Sequence, residues 1–337
     1  MIAEIAALRL LFGIGEKNSE MGAFKDSAAA GSRVLSSVAQ AIIGKDDVIE
    51  RVFLAMLARG HILIEDIPGV GKTTLAIAFS KALTLDYNRV QFTPDVLPSD
   101  VTGFSIVNKE TGNMEYMPGA VLCNLFLADE LNRANSRTQS ALLEAMEEGQ
   151  VTVDGLTHVI PQPFTVIATQ NPVGAAGTQL LPDSQMDRFM IRIALGYPDY
   201  SDEMFLVERK QDYRNLLELV EPVLKSSELE TMREQVDKVY VDKSLVGYIV
   251  SLIAATREHP GTLLGASPRA SLALTSMSKA MAYLQGRDYV TPDDIPPIFN
   301  DTISHRLILR PGAAGEHTTV LSILNDVLES VAAPRVG

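Results

Sequence analysis

Short apolar runs alternate with helical patterns from about Val34 to Tyr197, and this alternation is the strongest constraint on the fold. Near-continuous aliphatic runs are typical of strands in a parallel sheet that is covered on both faces. Helical spacing lies between the runs, for example over Thr73–Leu85 and Arg137–Glu148. Strand–helix alternation predicts an α/β layered fold with a parallel sheet. The predicted strands are His61–Glu65, Arg89–Phe92, Leu125–Asp129, Phe164–Thr169 and Met190–Leu195.

The strand patterns fade from about Pro198, and helical spacing takes over. We therefore predict three parts: an N-terminal extension over 1–33, an α/β core over 34–197 and a smaller all-α domain over 198–337. No low-complexity linker separates the last two parts, so we expect them to pack closely. The helices predicted in the last part are Asp202–Leu219, Ser227–Val239, Lys243–Glu258, Ser267–Gln285 and Thr319–Val331.

Composition and the first residues narrow the class of protein. Met1–Ile14 is apolar, shorter than a membrane span and without signal-peptide character, so we expect an amphipathic helix or a frayed extension there and no membrane span. The single cysteine, Cys123, favours a reducing, cytoplasmic compartment. The net charge of −13 argues against a protein held on nucleic acid by phosphate contacts. It leaves open a ring whose pore is basic locally.

Two hairpin-like insertions interrupt the α/β pattern. Phe104–Met117 has two alternating runs around a Thr-Gly-Asn turn, and Gly149–Pro161 has two runs around Asp154-Gly155. An Asp-Gly pair between alternating runs is a strong hairpin signal. The insertions flank the Leu125–Asp129 strand along the chain, so we favour a functional role over a simple surface hairpin.

A phosphate-binding loop follows the first predicted strand. Its glycines allow backbone N–H groups to approach phosphate oxygens, and the helix that begins after it adds positive potential. We expect Lys72 to reach the β- and γ-phosphates and the Thr73 hydroxyl to bind Mg²⁺. Asp66 stands where the full pattern has a glycine, which leaves the entry to the loop uncertain. The predicted nucleotide-binding residues are Pro68, Gly69, Val70, Gly71, Lys72, Thr73 and Thr74.

The Leu125–Asp129 strand ends in two acids, Asp129 and Glu130. A parallel strand delivers such residues to the carboxyl edge of the sheet, beside the phosphate loop. Asp129 is predicted to hold Mg²⁺ through water, and Glu130 to polarise the attacking water. A glutamate in this position favours hydrolysis over transfer to another acceptor.

Three further residues have two interpretations each. Asn171, at the tip of the next strand, orients the water or only forms a turn before Pro172. Arg188 is an arginine finger for a neighbouring subunit or forms a local salt bridge with Asp187 or Asp183. Arg269 contacts the γ-phosphate or is a surface arginine at a helix start.

Six segments together resemble the MoxR-type AAA+ ATPases. The resemblance covers roughly residues 34–308. In that family a residue other than glycine is tolerated at the Asp66 position. The segments are Asp66–Thr73, Gln91–Asp100, Asp129–Ala134, Gln139–Glu148, Ala168–Pro172 and Leu181–Phe189.

The resemblance implies a P-loop fold with a five-stranded sheet and a helical lid. It makes Phe104–Met117 the insert in the second helix and Gly149–Pro161 the hairpin before the sensor strand. It places Ile43 and Gly44 near adenine. It also makes Arg188 the inter-subunit finger and Arg269 the second sensor.

The same resemblance implies an ATPase that uses ATP and Mg²⁺, forms a hexameric ring and acts as a chaperone-like machine on partner complexes. Proteins with a von Willebrand factor A domain are the expected partners. Two alternatives are a nucleic-acid-dependent motor and a nucleotide-gated scaffold with little turnover. The net charge argues against the motor, and Glu130 argues against the scaffold.

The Glu147-Glu148 pair is predicted to be a solvated helix end, and the histidines to be structural or at the surface.

Overall fold

The computed structural model of the chain describes residues 14–171, 181–311 and 319–335. Within these ranges a five-stranded parallel sheet forms the centre of the α/β core. The strands of the core, in chain order, are β1 Ile62–Glu65, β2 Tyr87–Gln91, β3 Gly103–Val107, β4 Met114–Pro118, β5 Leu125–Asp129, β6 Gln150–Val153, β7 Leu156–Val159, β8 Thr165–Gln170 and β9 Ile191–Ile193.

The central sheet has the strand order β2-β5-β8-β1-β9, with every neighbouring pair parallel. Strand β1 therefore lies between β8 and β9, and the carboxyl ends of β1, β5 and β8 meet at one edge. The strands predicted from the sequence are confirmed, and β5 has the predicted bounds. This edge is where the phosphate loop and the two acids come together.

The two faces of the sheet are buried by different partners. Ile62 and Ile64 of β1 belong to one apolar cluster, and Leu63 between them belongs to the other, as the period of two along a strand requires. The first cluster continues into the helices of the lid. The helices of the core are α1 Ile14–Ala39, α2 Asp46–Leu57, α3 Lys72–Ala82, α4 Pro98–Thr102, α5 Ser136–Glu148 and α6 Asp183–Met186.

Helix α1 runs without a break across residues 33 and 34, where the sequence placed the start of the core. Ala30, Val34 and Val38 recur at four-residue spacing and are buried, so one face of the helix packs onto the core. The division into 1–33, 34–197 and 198–337 stays a prediction. Of the predicted helix over Met1–Ile14, residues 1–13 lie outside the described ranges.

Both predicted hairpins are confirmed as antiparallel pairs, β3 with β4 and β6 with β7. Asp154 and Gly155 have φ values of 50° and 79°, the positive pair that a tight two-residue hairpin turn requires. The Tyr116 ring of the first hairpin stacks on the His158 ring of the second, with centroids 3.5 Å apart. The two hairpins therefore meet on one side of the core.

The helical lid follows the core, and the first helix after β9 begins at Tyr200. The predicted helix over Asp202–Leu219 is too long: its α-helical part ends at Asp212, and a separate 3-10 turn over Leu216–Leu219 starts at Asn215, whose side chain accepts from Leu217 N–H. The lid also contains a short antiparallel sheet of β10 Thr262–Leu264 and β11 Ile308–Leu309. Its helices are α7 Tyr200–Asp212, α8 Ser226–Asp237, α9 Lys243–Glu258, α10 Pro268–Leu284, α11 Pro296–Ile303 and α12 Val320–Ser330.

In the ranges that the structure describes, none of the helices combines the length and the apolar character needed to span a membrane.

Candidate nucleotide-binding site

The phosphate loop turns sharply between β1 and α3. Gly69 and Gly71 have φ values of 89° and 99°, which glycine adopts without the strain that a side chain would add. Gly71 is the residue before the helix, and α3 begins at Lys72. The loop borders a cavity of about 320 Å³, here called the phosphate cavity. Its lining residues are Pro68, Gly69, Gly71, Lys72, Thr73, Thr74, Gln91, Asp129, Glu130 and Asn171.

Lys72 lines this cavity. Its Nζ donates to the Asp66 carbonyl at 2.6 Å and to Asn171 Oδ1 at 3.2 Å. Burial lowers the pKa of the Lys72 ammonium, and the carboxylates of Asp66, Asp129 and Glu130 act in the opposite direction. A cation surrounded by acids and backbone oxygens is suited to exchange these partners for phosphate oxygens.

Asp66 has a structural role at the entry to the loop. Its Oδ1 accepts from Ile67 N–H at 2.8 Å, and its Oδ2 accepts from Gly196 N–H at 2.7 Å. Gly196 lies just after β9, so the carboxylate ties the loop to the neighbouring strand. A glycine at this position would have no side chain to make that contact.

Asp129 ends β5 with both carboxylate oxygens occupied. Oδ1 accepts from Thr169 Oγ1 at 2.7 Å, and Oδ2 accepts from Arg89 Nη2 at 2.7 Å. Thr169 is the residue of β8 that precedes Gln170, and Arg89 lies on β2. The acid is therefore held by the strands on both sides of its own.

Glu130 has a left-handed backbone with φ 56°, which is uncommon for a residue other than glycine. Its N–H donates to Thr169 Oγ1 at 2.8 Å. The carboxylate accepts from Asn171 Nδ2 at 3.1 Å and from Arg133 Nη1 at 2.7 Å. Asn171 thus joins Glu130 to Lys72 across the cavity, while Pro172 lies outside the described residues.

Sequence reasoning missed Thr169, Arg89 and Arg133 as parts of the site. Arg133 follows Glu130 at the spacing of an i, i+3 ion pair, so the sequence did contain a signal for it. Arg89 pairs with Asp129 because β2 lies next to β5 in the sheet. That adjacency depends on strand order, which no local pattern specifies.

A second cavity of about 450 Å³ adjoins the same loop and is here called the base-side cavity. It shares Pro68, Gly69, Gly71 and Thr74 with the phosphate cavity, and Val70 also lines it. Ile43 lines this cavity as well. Gly44 is absent from the lining and lies against Asp202, whose Oδ2 would be 1.8 Å from a Cβ at that position.

Arg188 and Arg269 do not line either of these cavities. They meet at a separate cavity of about 310 Å³, here called the arginine cavity. Glu147 bridges them there, with Oε2 2.5 Å from Arg188 Nη1 and Oε1 2.5 Å from Arg269 Nη2.

The local salt bridge that was the second interpretation of Arg188 has a different partner from the two acids named for it. Among the described residues Arg188 pairs with Glu147 and not with Asp187 or Asp183, because Asp187 is engaged by Arg306 Nε at 2.7 Å. Glu147 and Glu148 at the end of α5 are both exposed, as predicted. Glu147 is in addition an ion-pair partner of two arginines.

Comparison with known proteins agrees with this architecture. A family model described as the ATPase family associated with various cellular activities (AAA) matches residues 61–191, and an AAA lid domain model matches residues 254–327. The chain is 36% identical over 319 residues to chaperone MoxR1 of Mycobacterium tuberculosis, covering 90% of this chain and 82% of that protein. The chain is a MoxR-family AAA+ ATPase.

Further similarities support the MoxR-family assignment. The chain is 44% identical over 302 residues to uncharacterized protein YeaC of Bacillus subtilis, covering 90% of this chain and 94% of that protein. A crystal structure of a Cytophaga hutchinsonii protein assigned as an ATPase superposes with a TM-score of 0.87 at 36% identity. That match covers 96% of this chain and 99% of the other.

Proposed function

We propose that this MoxR-family protein hydrolyses ATP in a ring of identical subunits and uses that cycle to remodel or activate partner protein complexes. The observation that carries the proposal is the Glu130 carboxylate in the phosphate cavity, hydrogen-bonded to Asn171 beside Lys72. Proteins with a von Willebrand factor A domain are the expected partners, by resemblance to the family. The hexameric state rests on the same resemblance.

Triphosphate binding follows from the loop. The N–H groups between Gly69 and Thr73 and the Lys72 ammonium offer donors to the β- and γ-phosphates. The base-side cavity continues from the same loop residues, so the adenosine fits beside Ile43.

The residues also fit a magnesium ion. Thr73 and Asp129 both line the phosphate cavity. The Thr73 hydroxyl is an oxygen ligand of the kind Mg²⁺ prefers, and Asp129, whose oxygens accept from Thr169 and Arg89, would hold the ion through water. Mg²⁺ commonly takes only one or two protein ligands and completes its shell with water and phosphate oxygens. When bound, the ion would neutralise charge on the β- and γ-phosphates.

Hydrolysis is assigned to Glu130. Its carboxylate accepts a proton from the attacking water while the water oxygen bonds to the γ-phosphorus. The bond from that phosphorus to the bridging oxygen breaks, and ADP leaves with the electron pair. Asn171 orients the carboxylate through its 3.1 Å hydrogen bond.

The position of the arginines supports a ring. Arg188 and Arg269 lie at the arginine cavity and not at the phosphate cavity of their own chain. The two arginines can therefore stabilise the negative charge on the γ-phosphate of a nucleotide that is bound by a second subunit. Such a contact joins two different surfaces of identical chains, and repeated head-to-tail it closes into a ring. An arginine supplied in this way accelerates phosphoryl transfer by about 1,000-fold or more.

The Glu130→Gln variant tests the assignment. The amide keeps the shape of the side chain but is no base, so ATP turnover should fall by about 100-fold or more while ATP affinity is retained. Lys72→Ala should instead lose nucleotide affinity, measured by titration with a fluorescent ATP analogue.

The control is Glu144→Gln, an exposed acid on α5 that lies outside the phosphate cavity. It should turn over ATP like the parent protein. Equal turnover in Glu130→Gln and the parent would contradict the role of Glu130. A turnover rate that rises on adding duplex DNA would favour the nucleic-acid motor instead.

A further inference from the structure

Glu147 is the point at which the two arginines of the proposed ring contact are joined. One carboxylate oxygen lies 2.5 Å from Arg188 Nη1, and the other lies 2.5 Å from Arg269 Nη2. Arg188 belongs to the core, and Arg269 lies in the first turn of lid helix α10. A single side chain thus connects guanidinium groups from the two parts of the molecule.

The backbones around this cluster are anchored independently of Glu147. Asp187, next to Arg188, accepts from Ser267 Oγ at 2.9 Å, and Ser267 is the N-cap of α10. The end of α5 is anchored by His61, whose half-buried ring contacts the Met146 carbonyl at 3.1 Å. The chain therefore brings the two arginines close to each other, and the orientation of their guanidinium groups is left to side-chain contacts.

Within the described residues those contacts are few. Arg188 Nη1 also donates to the Leu143 carbonyl at 3.0 Å, whereas the side chain of Arg269 has Glu147 as its hydrogen-bond partner. The side chains of Arg188 and Arg269 are 31% and 49% exposed, so water competes for both. Without the carboxylate, two cations would repel each other at this position.

Carboxylate and phosphoryl groups both present paired oxygens to the planar guanidinium fork. Two guanidinium groups that converge on the oxygens of one carboxylate are therefore also arranged to converge on one phosphoryl group. The arrangement exists before a neighbouring nucleotide arrives, and preorganised charge of this kind requires little rearrangement during the reaction.

We propose that Glu147 is a positioning residue that holds Arg188 and Arg269 as a pair for the γ-phosphate of the nucleotide bound by the neighbouring subunit. This inference rests on the proposed ring ATPase. It adds a residue that touches neither nucleotide nor metal and acts through the two arginines.

The Glu147→Gln variant tests the inference. A carboxamide has one acceptor oxygen, and its NH₂ group faces an arginine that only donates, so one guanidinium is released. ATP turnover should fall about tenfold from misplacement of the pair, while affinity for a fluorescent ATP analogue stays at the parent value. Exposed ion pairs contribute little to stability, so the melting temperature should change by about 2 °C or less.

Glu148→Gln is the matched control. It removes the adjacent acid from the same helix end, and Glu148 has no ion-pair or hydrogen-bond partner among the described residues. It should turn over ATP like the parent protein. An equal loss of turnover in both variants would show a general effect of charge and would overturn the inference.

Mixing two variants shows whether a substitution impairs the subunit's own nucleotide site or the arginines that it supplies to the neighbouring subunit. Lys72→Ala subunits lack a working site but keep the arginines, and Arg188→Ala subunits have the opposite defect. Mixtures of these two should recover activity if arginines act between subunits. Glu147→Gln should then recover when mixed with Lys72→Ala and not when mixed with Arg188→Ala.

The outcomes separate the two proposals. One outcome is that activity is recovered when Arg188→Ala is mixed with Lys72→Ala but not when Glu147→Gln is mixed with Lys72→Ala. That result would overturn the role of Glu147 and leave the proposed ring contact unaffected. Parent-like turnover in Glu147→Gln would have the same meaning. No recovery from Arg188→Ala with Lys72→Ala would contradict the contact between subunits itself, and the role of Glu147 with it.

Discussion

Single hydroxyl and amide groups organise the acidic end of β5. Thr169 Oγ1 donates to Asp129 and accepts from Glu130 N–H, so one fully buried side chain orients the two acids. It also stabilises the left-handed backbone of Glu130, a conformation that costs about 1–3 kcal/mol and persists only where neighbours enforce it. The proposed base therefore depends on a residue of the next strand.

Replacing Thr169 with valine tests this dependence. Valine has nearly the same shape but neither donates nor accepts, so Asp129 and Glu130 each lose a buried partner. We expect a loss of about 1–3 kcal/mol in the free energy of unfolding and at least tenfold lower ATP turnover, about the effect of a misplaced catalytic group. Urea denaturation and a steady-state ATPase assay measure the two effects.

Thr302→Val is the control, since Thr302 is equally buried but donates only to the Ile298 carbonyl within its own helix. It should keep the parent turnover. Parent-like turnover in Thr169→Val would mean that Glu130 is oriented without the hydroxyl.

At the scale of elements, α5 connects three regions that the proposed function uses: the acid Glu130, the arginine pair and hairpin β6–β7. It follows Glu130 after a 3-10 turn over Leu131–Arg133, and the Asn135 side chain at its start accepts from Arg137 N–H and Thr138 N–H. The helix ends at Gly149, which has a left-handed conformation. Its 13 residues correspond to about 20 Å of helix. Glu147 lies in its last turn, and hairpin β6–β7 follows directly. A shift of this helix would move the acid, the arginine pair and the hairpin together.

Two glycines show how elements restrict substitution. A Cβ at Gly119 would be 2.2 Å from both Gly103 N and Val101 O, so Gly119→Ala should force the base of hairpin β3–β4 away from α4. We expect a loss of about 1–3 kcal/mol or more in the free energy of unfolding, as for other overpacked sites.

Gly247 lies exposed within α9 with no atom within 4 Å of its Cβ position. Gly247→Ala should therefore raise the free energy of unfolding by about 0.5–1 kcal/mol.

Urea denaturation measures both changes: the midpoint of Gly119→Ala should fall below that of the parent protein, and the midpoint of Gly247→Ala should rise above it. A stable Gly119→Ala protein with the parent midpoint would refute the close contact at the hairpin base. A loss of stability in Gly247→Ala would refute the open helix face.

The whole molecule is joined by buried arginines between core and lid. Arg233 of α8 donates to the Met56 carbonyl and to Thr165 Oγ1, both at 2.8 Å, and burial lowers the pKa of its guanidinium to about 10. Arg306 pairs with Asp187 and donates to the Phe189 carbonyl at 2.7 Å. These contacts hold the lid against the sheet, so Arg269 moves with the core that carries Arg188.

Arg306→Gln should be strongly destabilising. Its loss leaves the Asp187 carboxylate and four backbone carbonyls, those of Asp187, Phe189, Met190 and Thr302, without this donor. We expect this to cost about 3–5 kcal/mol. Arg51→Gln is the comparison, because Arg51 also links core and lid, through Asp301 at 3.0 Å. Its pair is partly exposed and should cost about 1 kcal/mol or less. Similar urea midpoints for both variants would contradict the anchoring role of Arg306.

Much of the fold was predictable from local patterns. The strands of the sheet, the Asp154-Gly155 hairpin turn and the helix after Gly71 each follow from spacing within a short segment. The length of α7 was not predictable, because this helix has no buried residues among those described and its end is set by the separate turn at Asn215. The contact of Arg89 with Asp129 could not be predicted either, because it depends on the order of the strands in the sheet.

The sequence by itself determined the phosphate loop, the acids after β5 and the hairpins, because each depends on residues close together in the chain and on the shared edge of parallel strands. The tertiary structure alone decided that Thr169 binds both acids and that Arg188 and Arg269 meet at Glu147, away from their own phosphate cavity. These contacts join segments far apart in the chain, and their geometry is set by strand order and by how the lid packs onto the core.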